Sequence, residues 1–146
     1  MTIHFICRGN ILRSIIAEAY AKSLNLKEIS VVSSGTNVNW DDPLERTYFA
    51  RTLSLLASHG LQLYAKQRPD QLRQDRIDEY HDVVVLMNQR VVDEAEAITV
   101  LPKTAITWDI GDIGEPGRTD VNNLEDDEEH IFLEITQKVD ALVANL

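Results

Sequence analysis

The sequence predicts an α/β fold in three layers, with helices on both faces of a parallel sheet. Four short apolar segments alternate with helical patterns along the chain, an order that is typical of right-handed βαβ crossovers. The segments are almost continuously apolar, as expected for strands that are buried on both faces. A chain of 146 residues has the length of one domain, and we expect a single domain over residues 1–146.

The four apolar segments are the predicted strands. They are Ile3–Cys7, Ile29–Ser34, Asp82–Met87 and Ala105–Trp108. Open parallel sheets bind their ligands beyond the carboxyl ends of the strands. We therefore expect the functional site at the end of the sheet where Cys7 lies.

Two helices are predicted in the first half of the chain. The first covers residues 14–25, with one apolar face formed by Ile16, Tyr20 and Leu24. The second begins after Asp42, which is followed by Pro43 and then Glu45, and it ends at Gly60. Its predicted apolar stripe consists of Leu44, Tyr48, Leu55 and Leu56.

Three further helical segments follow in the second half. A weak pattern over 67–80 predicts a helix or a turn, and residues 89–97 predict a short helix capped by Asn88. The last helix covers about 124–146, and the acidic run 125–129 lies at its start, where the helix dipole favours carboxylates. Its apolar face consists of Phe132, Ile135, Val139, Leu142 and Leu146.

Composition and charge exclude several classes of partner. No apolar run approaches the length of a membrane span, and the N-terminus lacks the features of a signal peptide, so no membrane is expected. A single cysteine suits a reducing cytoplasm, which is the expected location. Residues 1–73 hold nine basic and six acidic side chains, whereas residues 74–146 hold five and eighteen. An anion site is therefore expected in the first half of the chain. Nucleic acid is not an expected partner, because the sequence has no basic stripe that could neutralise its phosphates.

The segment that follows the first strand has the composition of an oxyanion-binding loop. It reads Cys7-Arg8-Gly9-Asn10-Ile11-Leu12-Arg13-Ser14. Backbone amides of such a loop converge on one anion, and the following helix N-terminus adds partial positive charge. The same field favours a thiolate at Cys7, and the planar fork of Arg13 can grip two phosphate oxygens. The alternative is a buried thiol at a strand end without chemistry.

This segment resembles the signature of the low-molecular-weight protein tyrosine phosphatases, which is usually Cys-x-Gly-Asn-x-Cys-Arg-Ser-Pro. The likeness continues in order along the chain. Residues 32–36 resemble the family's Ser-Ala-Gly-Thr segment, residues 80–88 its third strand, and residues 108–113 its Trp-x-Ile-Pro-Asp-Pro acid loop. The resemblance implies a phosphatase I-like fold whose four-stranded parallel sheet has the order 2-1-3-4.

The resemblance also implies roles for individual residues. Cys7 would be the nucleophile, Arg13 the phosphate clamp and Asp112 the general acid. Trp40 falls where the family tends to place an aromatic pocket wall. Asn10, Ser14 and Ser33 would shape the loop through hydrogen bonds. The full set of remaining substrate-binding residues that the resemblance implies is Arg8, Gly9, Asn10, Ile11, Leu12, Ser14 and Ser33. No cofactor is implied, and the four histidines lack the spacing of metal ligands.

Several positions depart from the family pattern. Leu12 replaces the second cysteine of the signature, and Ile113 replaces the proline that follows the acid. No tyrosine follows Ile113, and Tyr64 stands where many members have a histidine. Asp109, three residues before Asp112, is a competing candidate for the acid.

The resemblance implies a phosphomonoester hydrolase that acts on phosphotyrosine through a phosphocysteine intermediate and releases inorganic phosphate. Its substrate would be a phosphorylated protein or a small phosphomonoester. An arsenate reductase is one alternative, and the lone Cys7 restricts it to forms that use an external thiol. A phosphate- or phosphopeptide-binding module without catalysis is the other. Ile113 favours that module, whereas the presence of Cys7 and Arg13 argues against it.

Overall fold

The computed structural model describes residues 1–116, 118 and 123–146. Four parallel strands form one sheet in this part of the chain: β1 (Thr2–Cys7), β2 (Ser30–Gly35), β3 (Val83–Leu86) and β4 (Ile106–Thr107). The strand order is β2-β1-β3-β4, so that β1 lies between β2 and β3. The predicted helix–sheet–helix class and the order 2-1-3-4 are confirmed.

Five α-helices surround this sheet in the described residues. They are α1 (Arg13–Ser23), α2 (Pro43–Ser58), α3 (Gln74–Glu79), α4 (Gln89–Glu96) and α5 (Leu124–Ala144). Helix α3 lies within the weak pattern at 67–80, and a short 3₁₀ turn precedes it at Gln62–Tyr64. Helix α1 packs against α5 and β2, and α4 packs against β3.

Two helices begin at N-cap residues that the sequence predicts. The Asp42 carboxylate accepts from the amide of Leu44 at the start of α2. The Asn88 side chain accepts from Val91 N at the start of α4. Both predicted caps are confirmed, and each accepts a hydrogen bond from a backbone amide that would otherwise lack a partner.

The hydrophobic core lies on both faces of β1 and β3. Within these strands, Ile3, Phe5, Ile6, Val85 and Leu86 are fully buried. Each large apolar side chain buried in this way stabilises the fold by about 1.5–3 kcal/mol. The apolar face of α5 completes the core through the buried residues Ile131, Phe132, Ile135 and Val139.

The predicted apolar stripe of α2 is wrong over its first two turns. Leu44 is 55% exposed and Tyr48 40% exposed, whereas the buried positions are Phe49, Thr52, Leu55 and Leu56. The first turns of α2 extend past the core and border a cleft, which Tyr48 lines. Two other predicted core positions, Leu24 and Leu146, are exposed because they follow the last residues of α1 and α5.

No helix among the described residues combines the length and the hydropathy that crossing a bilayer requires.

His4 is a fully buried polar side chain in the central strand. Its Nε2 lies 2.8 Å from Ser34 Oγ, and its Nδ1 lies 3.2 Å from the carbonyl oxygen of Tyr80. Burial, assisted by the nearby charge of Arg76, lowers the pKa of His4 to about 4. The imidazole is therefore neutral in the folded protein at neutral pH.

The low pKa of His4 predicts a pH-dependent stability. Unfolded histidine has a pKa of about 6.5, so the unfolded chain binds the proton first as the pH falls. The neutral His4 therefore makes its full contribution to the free energy of unfolding above about pH 6.5. This contribution disappears as the pH falls to about 4, where the total loss of stability is about 3 kcal/mol. Urea unfolding across this range should give a shallower pH dependence for His4→Gln than for wild type.

A matched control is His81→Gln, because the His81 side chain is 61% exposed. We expect this variant to retain the wild-type pH dependence. Parallel curves for His4→Gln and wild type would contradict the prediction.

Candidate active site

The Cys7 loop, defined as residues 7–14, joins the carboxyl end of β1 to the start of α1. Leu12 occupies the N-cap of α1 and provides no side-chain hydrogen bond to it. The loop forms the floor of a cleft of about 480 Å³. The residues that line this cleft are Cys7, Arg8, Gly9, Ile11, Leu12, Arg13, Asn37, Asn39, Glu45, Tyr48, Thr52, Asp112, Ile113, Leu124 and Glu128.

The sulfur atom of Cys7 is surrounded by polar groups. It lies 2.9 Å from Ser14 Oγ, and the backbone amide of Asn10 donates to it at 3.3 Å. The Cys7 sulfur is therefore within hydrogen-bond distance of one side chain and one backbone amide where it lines the cleft.

Asn10 fixes the shape of the loop. Its backbone is in the left-handed region, with φ of 55°, which asparagine tolerates better than most residues. Its side-chain Nδ2 donates to Ser14 Oγ at 2.7 Å and to Ser33 Oγ at 2.9 Å. These contacts bring together three of the residues that the resemblance named. All three are fully buried, and none of them lines the cleft.

Lys66 is a site residue that the sequence reasoning missed. Its Nζ donates to Asn10 Oδ1 at 3.0 Å and to the carbonyl oxygen of Ser33 at 3.0 Å. It also forms an ion pair with Asp70 at 2.7 Å. Burial opposes ionisation of Asp70, yet the hydrogen bond and charge of Lys66 hold the pKa of that carboxyl below its usual value. The sequence offered one signal, a basic side chain two positions after Tyr64.

Gly35, the last residue of β2, lies directly against the Cys7 loop. A Cβ atom at this position would lie 2.7 Å from the carbonyl oxygen of Arg8 and 2.8 Å from the amide nitrogen of Asn10. Both distances are shorter than a real Cβ contact, and both atoms belong to the backbone. Glycine at position 35 therefore allows β2 and the loop to approach each other.

The side chain of Arg8 is paired. Its Nε donates to Glu94 Oε2 in α4 at 2.9 Å, and the other carboxylate oxygen of Glu94 accepts from Thr36 Oγ1 at 3.0 Å. Arg8 still lines the cleft, with 39% of its side chain exposed. Arg8 therefore borders the cleft as one half of an ion pair and remains in contact with water.

Arg13 is almost completely buried, with 1% of its side chain exposed. Its Nη1 donates to the carbonyl oxygen of Ile110 at 2.9 Å. Its Nη2 has no hydrogen-bond partner among the described residues and lies 3.8 Å from Asp112 Oδ2 and 3.8 Å from Glu115 Oε1. Leaving a buried guanidinium donor unsatisfied is costly, which makes it a strong ligand for an anion in the cleft.

The structure distinguishes the two candidate acids by position. Asp112 lines the cleft and has a side chain that is 43% exposed. Its Oδ1 accepts from the amide of Ile113 at 2.9 Å. Asp109 is exposed and is not one of the residues that line the cleft. The geometry therefore brings Asp112, but not Asp109, together with Cys7 and Arg13.

Trp40, the predicted aromatic wall, packs against α2. Its ring packs edge-to-face on Phe49, with 5.2 Å between centroids, and it is absent from the lining of the cleft. The aromatic side chain that does line the cleft is Tyr48, one residue before Phe49. Tyr48 therefore lines the cleft while Phe49 packs against Trp40, and the wall role of Trp40 stays a prediction.

Acidic side chains occupy the side of the cleft formed by α2 and α5. Glu128 is held by Arg51, with 2.6 Å between Oε1 and Nη2. Burial raises the pKa of Glu45, and the carboxylates of Asp42 and Asp112 add to this shift. In the part of the chain that the structure describes, no group of three or more potential ligands is arranged to hold a metal ion. Among the described residues that line the cleft, the cationic side chains are Arg8, which pairs with Glu94, and Arg13.

The strand order and the cysteine–arginine loop between β1 and α1 define a phosphatase I-like protein. The family model for low molecular weight phosphotyrosine protein phosphatase matches residues 2–146, and the chain belongs to this family. A search of curated proteins gives no significant match.

Solved structures share the fold at low sequence identity. The low molecular weight protein tyrosine phosphatase of Streptococcus pyogenes aligns with a TM-score of 0.75 and 18% identity over 99% of this chain and 92% of its own. A Drosophila arginine phosphatase aligns with a TM-score of 0.70 and 19% identity, over 99% of this chain and 97% of its own. The thioredoxin-dependent arsenate reductase of Corynebacterium glutamicum aligns with a TM-score of 0.69 and 22% identity, over 99% of this chain and 60% of its own. Identities this low establish the fold alone.

The contact between Gly35 and the Cys7 loop predicts that Gly35→Ala displaces the loop. We expect the affinity for inorganic phosphate, measured by calorimetry, to fall at least about tenfold, or about 1.4 kcal/mol. Gly60→Ala is a matched control. Gly60 has φ of 73° and no atom within 4 Å of an added Cβ. This control should cost about 1–2 kcal/mol of stability through backbone strain and leave phosphate affinity unchanged. Wild-type affinity in Gly35→Ala would show that the loop does not depend on the close approach.

Proposed function

We propose that the protein hydrolyses phosphomonoesters, with phosphotyrosine as substrate, through a phosphocysteine intermediate on Cys7. The observation that carries this proposal is the pairing of two groups in one cleft. Cys7 Sγ lies on its floor among hydrogen-bond donors, and the buried Nη2 of Arg13 has no hydrogen-bond partner in the described part of the chain. A nucleophile beside a guanidinium nitrogen that still lacks a hydrogen bond suits attack on a bound phosphate.

In the first step, the Cys7 thiolate attacks phosphorus in line with the ester oxygen. The S–P bond forms as the P–O bond to the leaving group breaks. Arg13 and the loop amides stabilise the charge on the equatorial oxygens. Asp112, in its protonated form, transfers a proton to the departing oxygen.

In the second step, water attacks phosphorus and the S–P bond breaks. Asp112, now a carboxylate, accepts a proton from this water, and inorganic phosphate leaves. Cys7 returns to the thiolate form, so the cycle closes without a reductant. Arginine and amide groups supply the positive charge that a metal ion supplies in other phosphatases.

The preference for an aryl ester rests on the walls of the cleft. Ile11, Leu12, Ile113 and Tyr48 line it near the Cys7 loop. Apolar and aromatic side chains favour a flat aromatic leaving group over a strongly hydrated alkyl one. A phosphorylated protein or a small aryl phosphate therefore fits the cleft.

The central experiment is hydrolysis of p-nitrophenyl phosphate by wild type, Cys7→Ser and Arg13→Lys. We expect turnover by wild type and none above background for Cys7→Ser, because a hydroxyl is far less ionised than a thiol. Arg13→Lys keeps the charge but loses the planar fork, so kcat/KM should fall by at least about 100-fold.

Circular dichroism and thermal melting should show that both variants fold. Equal turnover by Cys7→Ser and wild type would refute the phosphocysteine mechanism. If wild type binds phosphate without ester turnover, the binding module is favoured. If it consumes glutathione in the presence of arsenate instead, arsenate reduction is favoured.

The position of Asp112 in the cleft predicts its role as the acid. Asp112→Asn should slow hydrolysis of phosphotyrosine far more than that of an activated aryl ester, since a good leaving group needs no proton. The variant should also lose the basic limb of the pH–rate profile, which reports deprotonation of the acid. Asp109→Asn is the control and should retain both properties. The reverse result would assign the acid to Asp109.

A further inference from the structure

We propose that Glu115 is a positioning residue that acts as the fixed counter-charge of Arg13 and thereby leaves Asp112 available for proton transfer. This inference rests on the proposed function for the roles of Arg13 and Asp112. Apart from Arg13, the side chain of Glu115 contacts Gly111 and the start of α4, at Asn88 and Arg90.

The two carboxylates near Arg13 are equally distant but differently surrounded. Asp112 Oδ2 and Glu115 Oε1 each lie 3.8 Å from Nη2 of Arg13. The Asp112 side chain is 43% exposed, whereas that of Glu115 is 13% exposed. Since an ion pair is stronger where water is excluded, the more buried carboxylate is the better partner for the buried guanidinium.

Glu115 is also held more firmly than Asp112. Its Oε2 accepts from Asn88 Nδ2 at 2.8 Å, and its Oε1 lies 3.9 Å from Nη1 of Arg90. The Asn88 side chain is fixed in turn, because its Oδ1 caps α4 at Val91 N. The side chain of Glu115 passes over Gly111, where an added Cβ would lie 3.4 Å from Oε2. The side chain of Asp112, in contrast, accepts only one hydrogen bond among the described contacts, from the amide of Ile113, while its carbonyl oxygen accepts from the amide of Glu115 at 3.1 Å.

This arrangement divides two tasks between two carboxylates. A general acid must carry a proton when the substrate is bound, but a full ion pair with Arg13 would hold Asp112 in the charged form. Glu115 supplies negative charge to Arg13 from a fixed position and also repels a charge on Asp112. Both effects leave the Asp112 carboxyl free to transfer a proton.

The other charged groups around Asp112 are accounted for. Glu45 of α2 interacts with Asp112 through its charge, and Glu128 of α5 lies in the same cleft, paired with Arg51. Arg118 donates to the carbonyl oxygen of Gly111 at 2.7 Å and pairs with Glu134 at 2.7 Å. None of these contacts involves the side chain of Glu115, so Glu115→Gln changes the counter-charge without removing any of them.

The test is Glu115→Gln, which keeps the size of the side chain and the oxygen that accepts from Asn88. The titration of the Asp112 carboxyl, followed by NMR, should move to lower pH by about one unit, because Arg13 then pairs with Asp112. The basic limb of the pH–rate profile should move in the same direction. Glu115→Asp retains the charge, so the Asp112 titration in this variant should lie at least halfway back from its position in Glu115→Gln to that of wild type.

Two controls separate the counter-charge role from a general effect of loop charge and from a loss of loop structure. Asp109→Asn removes one charge from the same loop and should leave the Asp112 titration unchanged. Inorganic phosphate should bind Glu115→Gln at least as tightly as wild type, since Arg13 stays in the cleft. An unmoved Asp112 titration would overturn the proposal, and so would loss of phosphate binding, which would mean that Glu115 only supports the loop. The NMR titration needs no turnover, so it judges Glu115 even if the protein proves not to be a phosphatase.

Discussion

The side-chain amide of Asn10 is the interaction on which the site depends. It joins the Cys7 loop to β2 through Ser33, to α1 through Ser14 and to the segment before α3 through Lys66. The amide of Asp70 also donates to Asn10 Oδ1 at 2.9 Å. Each hydrogen-bonding group of the side chain therefore has a partner, which is what a buried polar side chain requires. The left-handed backbone of Asn10 also turns the chain, and its backbone N–H donates to Cys7 Sγ.

Beneath the loop, the protein holds positive charge close to β2. Arg76 donates to Ser34 Oγ at 2.7 Å and to the carbonyl oxygen of Ser33 at 3.0 Å, next to Lys66. His4 shares Ser34 Oγ and remains neutral, so the cluster does not gain a third charge at neutral pH. Asp70 lies 2.7 Å from Lys66 and 4.0 Å from Arg76, so these two cations share one carboxylate. A net positive charge therefore remains under the loop although the whole chain carries −10, and positive charge favours an anion above it.

Much of the fold could be predicted because its signals are local. Continuous apolar runs marked β1 and β3, and side chains such as Asn88 marked the start of a helix within three residues. The site was only partly predictable, since Lys66 and Glu115 approach the loop from distant parts of the chain and no local pattern records that approach. Tyr48 was assigned to the core because helical spacing identifies a face without saying what covers it. The role of Asp112 still depends on the proposed mechanism, although the structure places it in the cleft.

The central place of β1 has a consequence for how the molecule folds. Its first neighbour, β2, follows within about one helix, but β3 begins only at Val83, and Thr2 N donates to Asp82 across 80 residues. Closing such a long loop is slow relative to forming local helices, because its entropy must be lost before the contact is made. The cleft needs residues from both halves, so we expect it to be assembled late during folding. Binding of phosphate should then report complete folding, whereas helix content should reach its final value earlier.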